Sequence, residues 1–264
     1  MILIGEKINA TTKIVREALA KKDEKTIASL ITAQREAGAQ YIDLNAATSP
    51  EEESTHFKWL LNIADGLGVN ALSLDSANPR VLEEMLALCR GKDIIVNSTT
   101  MEKARYEAIF PLVKQYTTKL IVLALDDEGL PHDAEQRYKI AARAKEKARE
   151  FGIAPEALFI DPLVRPLSTE QSQGMQVLEA IALIKNKLSL KTVFGVSNIS
   201  FGLPKRSIVN RTFLSLAIFY GLDAVIADPL DNFLLSSIAA SRVITGQDQF
   251  CLDYIARFKK GLLH

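Results

Sequence analysis

The sequence predicts a single (β/α)8 TIM barrel, and three observations carry that expectation. Eight short apolar runs alternate with longer amphipathic segments from one end of the chain to the other. The runs recur at about 30 residues per βα repeat, the spacing of this barrel. No proline- or glycine-rich linker and no shift in composition divides the 264 residues, so one domain is expected over residues 1–264. Strand count leaves a doubly wound open sheet as the alternative.

The runs occupy residues 2–8, 41–44, 71–74, 94–96, 120–125, 158–160, 192–196 and 224–227. They are too short and too continuously apolar for half-exposed strands, and they suit a parallel sheet covered on both faces. Helical patterns of roughly 10 to 20 residues separate them, for example residues 79–90 and 134–151. Asn78 before Pro79 places a capping residue beside a proline at the first helical position, and Gly152 follows the pattern that ends near Phe151. Residues 249–260 are expected to form one further helix at the C-terminus.

Composition narrows the class of function. Hydrophobic residues make up 48% and charged residues 24% of the chain, the balance of an ordinary globular domain. Lys plus Arg equals Asp plus Glu at 32 each, so no global field draws in nucleic acid or an anionic membrane. No apolar run approaches the ~20 residues of a membrane span, and the N-terminus starts as a strand without a signal-peptide pattern. Cys89 and Cys251 stand apart, with no Cys-x-x-Cys pair and no cysteine–histidine spacing for a metal. A cytoplasmic protein that binds no metal of its own is expected.

The end of each run is polar. The first ends in Glu6-Lys7-Ile8-Asn9, the second in Asp43-Leu44-Asn45, the third in Asp75-Ser76 and the fourth in Asn97-Ser98-Thr99. The fifth ends in Asp126-Asp127, the sixth in Asp161-Pro162, the seventh in Gly195-Val196-Ser197-Asn198 and the eighth in Asp228-Pro229. In a barrel these positions converge on the mouth where active sites are built. Any one of them can instead cap the next helix. Eight in eight asks for more than capping.

That ring is rich in acceptors and amides and poor in positive charge. Phosphorylated substrates call for Gly-rich loops, helix N-termini, Lys or Arg, and no Gly-rich loop follows the seventh or eighth run. A carboxylate accepting two parallel N–H bonds suits a flat aminopyrimidinone ring, and polar groups left unpaired by the wrong ring would give specificity. His56, His132 and His264 all lie away from strand ends, and there is no G-x-S-x-G, H-E-x-x-H or Walker loop. Paired acids for glycoside hydrolysis stay open, since carboxylate separations are not visible in sequence.

The strings Ile4-Gly5-Glu6-Lys7-Ile8-Asn9, Asp43-Leu44-Asn45, Leu74-Asp75-Ser76, Val96-Asn97-Ser98-Thr99, Phe159-Ile160-Asp161-Pro162 and Gly195-Val196-Ser197-Asn198-Ile199-Ser200 occur in this order, together with Asn210-Arg211-Thr212-Phe213 and Ala227-Asp228. In that order and spacing they resemble the pterin-binding barrel family, most closely the methyltetrahydrofolate:corrinoid protein methyltransferases and the folate part of cobalamin-dependent methionine synthase. The resemblance implies transfer of an N5-methyl group between 5-methyltetrahydrofolate and the cobalt of a corrinoid protein, in either direction. It implies that Asp75, Asn97 and Asp161 grip the pyrimidine edge of the pterin. Gly195, Ser197 and Asn198 would flank the reactive half of the ring, with the Asn198 amide at N5 and Asp161 a candidate proton relay. Glu6, Asn9, Asp43 and Asn45 match polar positions deeper in the mouth, and Arg206 is a candidate for the anionic folate tail. Tetrahydrofolate enters as substrate and cobalamin on a partner protein, since the D-x-H-x-x-G loop of a cobalamin module does not appear. A homodimer is expected on the same resemblance. The rival readings are a dihydropteroate synthase-like pterin enzyme, whose phosphate-binding segment after the first strand is not matched here, and a non-catalytic folate-binding protein.

Overall fold

The computed structural model describes residues 1–49 and 51–264. Eight parallel strands close into a barrel in sequence order. They are β1 (Ile2–Asn9), β2 (Tyr41–Asn45), β3 (Ala71–Asp75), β4 (Asp93–Met101), β5 (Lys119–Asp126), β6 (Leu158–Asp161), β7 (Lys191–Gly195) and β8 (Ala224–Ala227). Helices α1 (Lys13–Lys21) and α2 (Glu24–Glu36) follow β1, and α3 (Glu53–Gly66), α4 (Pro79–Leu88) and α5 (Lys103–Tyr116) follow the next three strands. After β5 to β8 come α6 (Ala134–Glu150), α7 (Gln173–Leu183), α8 (Arg206–Phe219) and α9 (Asn232–Ile244). The final helix is α10 (Leu252–Lys259). The closed sheet excludes the open doubly wound alternative.

Successive side chains on a strand point to opposite faces, and this alternation sorts the chain into layers. Ile4, Ile95, Ile121, Phe159, Val193 and Ala224 pack together inside the barrel. Leu44, Leu72, Leu74, Val96, Leu120, Val122 and Ala124 face out and pack under the helices. Below the inner layer the barrel is floored by a polar set. The Tyr41 hydroxyl donates to Asp93 Oδ2 at 2.6 Å, and Lys119 Nζ reaches both Tyr41 (2.6 Å) and Asp93. Two residues up from Ile4, Tyr41, Ile95, Phe159 and Val193, the same parity delivers Glu6, Asp43, Asn97, Asp161 and Gly195 to the mouth, and four residues up from Ala224 it delivers Asp228. The inner apolar layer is thus the platform on which the site stands.

Local chemistry explains the boundaries. Asn78 Oδ1 accepts from the Arg80 N–H (3.1 Å) with Pro79 in the first turn, as the sequence suggested, and Asp133 does the same for Gln136 at α6. Gly152 takes φ +71° just past α6. Strand β4 is longer than its apolar run, because the ladder continues through Thr99, Thr100 and the buried Met101. The C-terminal segment departs from expectation. Phe250 and Cys251 adopt positive φ (54° and 57°), which ends a single 3-10 turn, Gln249–Cys251, and lets α10 start only at Leu252. Both cysteines are free thiols, and burial pushes Cys89 up to about 11.

Strand β1 carries an irregularity that matters for function. Its register with β2 shifts between Gly5 and Ile8. There the Lys7 N–H donates to the buried Gln34 side chain at 2.9 Å instead of to a strand. A Cβ on Gly5 would lie 2.5 Å from Gln34 Oε1, so only glycine lets Gln34 approach. The bulge re-aims the residues after it, and Lys7 Nζ bonds Asp228 Oδ2 across the barrel seam at 2.9 Å.

Candidate active site at the barrel mouth

Two amide–carboxylate pairs form one side of the mouth. Asn97 Nδ2 on β4 donates to Asp43 Oδ1 on β2 at 3.1 Å. Asn45 Nδ2, two residues along β2, donates to Asp75 Oδ2 on β3 at 2.9 Å. Each pair fixes the rotamers of both partners and leaves a carboxylate oxygen and an amide oxygen for a ligand, although the Asn45 oxygen also receives the Ala47 N–H at 3.2 Å. Across the barrel, Asp161 is buried at the end of β6, with Oδ1 accepting from the Leu163 N–H at 2.7 Å.

These carboxyls resist ionisation. Burial first, and then the neighbouring Asp75, push Asp43 well above the ordinary range, against the bond from Asn97. Burial raises Asp75 as well, and the Asn45 bond opposes it. Asp161 is pushed up to about 7 by burial, despite the Leu163 N–H and the charge of Arg137. Glu6 is raised to about 7 by burial and by Asp228, with Lys7 and Arg206 pulling the other way. Desolvation is the dominant cause at each, and acids held this way at the strand ends are poised to accept N–H donors.

The remaining side of the mouth belongs to β7. After Gly195 the chain enters a single 3-10 turn, Val196–Asn198. Asn198 is exposed and folds over Gly195, where an added Cβ would meet its Nδ2 at 3.5 Å. Its side chain makes no hydrogen bond among the described residues, so the amide is available. Ser197 is half-buried in the same turn. Arg206, at the start of α8, bonds back onto this turn through the Ser197 carbonyl (2.5 Å) and the Ser200 hydroxyl (3.0 Å).

Three strand-end polar groups are held by local structure. Asn9 closes the turn after β1, with Oδ1 accepting from the Thr11 N–H (2.9 Å) and hydroxyl (2.7 Å). Asp126 has the outward parity of Leu120, Val122 and Ala124, and it pairs with Arg143 at 2.6 Å beneath α6. Asp127 receives the Lys103 N–H at 3.1 Å. Capping and ion pairing thus engage all three in local structure, and Asn9 keeps its Nδ2 donor unused by these bonds. Two features lay beyond the sequence reading. Fully buried Arg137 binds the carbonyls of Pro162 (2.7 Å) and Asp133 (3.0 Å) and the Gln173 side chain (2.6 Å), bracing the loop that follows Asp161. Its signal was present as a charge on the apolar stripe of α6 with Ala141, Ala144 and Ala148. The Lys7–Asp228 bridge had no such signal. Among the described residues no group of three or more His, Cys, Asp and Glu side chains could hold a metal ion.

A closed barrel with carboxyl–amide pairs and a free amide at its mouth describes a protein built to hold a flat, donor-rich heterocycle. The chain belongs to the family of pterin binding enzymes, whose sequence profile matches residues 5–228 and so covers every candidate residue above. It is 34% identical over 264 residues, 99% of this chain and 97% of the other, to a methylcorrinoid:tetrahydrofolate methyltransferase of Eubacterium limosum. It is 27% identical over 240 residues to the methionine synthase of Mycobacterium leprae, covering 86% of this chain but 20% of that longer protein. Among solved structures, dihydropteroate synthase from Xanthomonas albilineans in complex with 7,8-dihydropteroate superposes with a TM-score of 0.70 at 19% identity, covering 94% of this chain and 93% of that one. At that identity the likeness speaks for the barrel alone.

Proposed function

We propose that the chain is a methyltransferase that moves the N5-methyl group between methyltetrahydrofolate and the cobalt of a corrinoid carried by a partner protein. The observation that carries this reading is the pairing of braced carboxyls on one side of the mouth with the unpartnered Asn198 amide on the other. Asp75, Asn97 and Asp161 hold the pyrimidine edge, where ring N–H and NH2 groups meet acceptors already stripped of water. This sets N5 toward Asn198. Full-length similarity to a methyltransferase that bears both substrates in its name supports the same reading.

The chemistry required of the chain is leaving-group stabilisation. Departure of the methyl group leaves its electron pair on N5, so N5 needs a proton or strong hydrogen bond as the C–N bond breaks. The corrinoid partner supplies the metal that accepts or donates the methyl group. Asn198 donates to N5 and bonds it most strongly in the transition state. An amide is no acid, so the proton arrives from water, and Asp161 or Glu6, held near neutrality, can exchange it with the solvent. The dihydropteroate synthase-like alternative has no comparable support here, because no phosphate-binding segment follows β1, where Asn9 and Thr11 instead close a tight turn. In the cell, free thiols and an oxygen-sensitive methyl acceptor both fit the cytoplasm.

The test is a stopped-flow spectrum of the chain mixed with cobalt(I) cobalamin and methyltetrahydrofolate. Conversion to the methylcobalt spectrum is expected. Tight folate binding with no conversion, even with a corrinoid protein present, would leave a folate-binding protein instead.

The chain acts as a homodimer through its C-terminal helices. Phe219 on α8, Ile244 on α9, and Phe250 and Phe258 around α10 are 71%, 81%, 87% and 72% exposed, and α10 buries none of its residues. Together with Leu252 and Ile255, 65% and 45% exposed, they leave large apolar side chains for a second copy to cover. Light scattering after gel filtration is expected to give twice the chain mass, and Phe219→Asp with Phe258→Asp to halve it. A monomeric wild-type chain at tens of micromolar would remove this assignment.

A further inference from the structure

Asn198 hangs on a segment with little regular structure to hold it. The 3-10 turn at residues 196–198 is followed by bonds from Phe201 N–H to the Asn198 carbonyl (3.2 Å) and from Leu203 N–H to the Ser200 carbonyl (3.0 Å), with Gly202 at φ +81°. On the β6 side the segment is braced twice. Leu167 N–H donates to the Ile199 carbonyl (3.0 Å), and the Ser168 hydroxyl donates to the Phe201 carbonyl (2.7 Å). On the α8 side, among the described residues, the brace is Arg206. Its Nη2 donates to the Ser197 carbonyl and its Nε to the hydroxyl of fully buried Ser200, and its guanidinium lies 5.7 Å from the Phe201 ring centroid.

We propose that Arg206 is a positioning residue, which fixes the Asn198 amide over Gly195, and that it does not serve as the ligand of an anionic substrate tail. The proposal rests on the methyl-transfer reading of Asn198. Two of the five Arg206 N–H donors, on adjacent nitrogens of the fork, are engaged by the turn, one by the carbonyl of the residue just before Asn198. A planar fork can hold both acceptors at a fixed separation. A lysine ammonium, a single mobile point of charge, cannot. Displacement of a reacting group by about 1 Å is enough to lower a rate by ~10²-fold, so a modest relaxation of this turn reaches the chemistry.

Arg206→Ala is expected to lower kcat for methyl transfer by about 30- to 100-fold while changing the Kd of methyltetrahydrofolate less than about 3-fold. Added guanidinium at millimolar concentration restores part of the rate, and Arg206→Lys does not. In an Asn198→Ala background the same substitution is expected to cost less than about 3-fold, the non-additivity of two residues acting through one contact. Retention of kcat with a tenfold weaker Kd would make Arg206 a tail ligand and overturn the proposal, as would effects that multiply in the double variant. The side-chain amide resonance of Asn198, assigned by its loss in Asn198→Ala, is expected to shift in Arg206→Ala and to recover with guanidinium. If the wild-type chain transfers no methyl group, the methyl-transfer reading fails. The resonance then decides alone, and an unmoved Asn198 signal overturns the positioning role.

Discussion

Asp161→Asn will weaken folate binding by about two orders of magnitude, since the carboxylate oxygen left for ring N–H donors is replaced by an NH2 group that itself donates. The same substitution will make the folate-free protein more stable above neutral pH. The asparagine keeps the oxygen that receives the Leu163 N–H and cannot ionise. In the wild type, burial lets the folded chain keep the Asp161 proton up to about pH 7, whereas the unfolded chain releases it near pH 4. Between those values the native state binds more protons, so stability falls as pH rises through the window, and above it the folded protein carries the full penalty of a buried charge. A shift of about 3 units corresponds to about 4 kcal/mol at most. Wild type and variant should therefore melt together near pH 4 and separate by several degrees at pH 8, a difference that calorimetry of both proteins across pH 4 to 9 resolves. Equal melting temperatures at pH 8 would mean that burial does not raise the ionisation of Asp161 in the empty site. Folate should narrow the gap, because its N–H donors favour the ionised form, and wild-type binding should weaken as pH drops below about 7.

Asn198→Ala will lower kcat by about 100- to 1,000-fold with little change in the Kd of methyltetrahydrofolate, the pattern of a donor whose bond matters in the transition state alone. Single-turnover methyl transfer to cobalt(I) and equilibrium folate binding, measured on the same preparation, separate the two quantities. A proportionate rise in Kd would place Asn198 among the residues that hold the ground state and would move the search for N5 stabilisation to Glu6 or to water. The exposed, unpartnered state of the amide is what allows this assignment, because its removal leaves no orphaned group in the fold.

The barrel and the polar strand ends at its mouth are both legible in the sequence. The inner apolar layer and the residues two positions beyond it follow from strand parity, so Ile4 leads to Glu6, Tyr41 to Asp43, Ile95 to Asn97 and Phe159 to Asp161. Parity also separates Asp126 from this set, since Leu120, Val122 and Ala124 share its outward face. Asn9 and Asp127 could not be separated in that way. An Asx turn or a helix-capping carboxylate carries the same local signal as a ligand-binding one. The break at Phe250 and Cys251 escaped for a related reason, because residues 249–260 keep a helical pattern through the two positive-φ residues.

Sequence by itself determined the eight-strand order, the inward parity of the acids and the motif strings that lie within residues 5–228 of a pterin binding enzyme. These are properties of contiguous residues, set by the two-residue period of a strand and by local turn chemistry. Tertiary structure alone decided the partners. Closure of the barrel put Asn97 on Asp43 and Asn45 on Asp75. The bulge admitted by Gly5 sent Lys7 to Asp228, and the approach of α8 brought Arg206 onto the turn that carries Asn198. Each of these depends on the stagger between strands and on where a helix lies over the sheet, quantities that sum over the whole closed barrel and leave no mark on the neighbouring residues. The shifts of Asp43, Asp161 and Glu6 belong with them, because desolvation is a property of what surrounds a carboxyl in space.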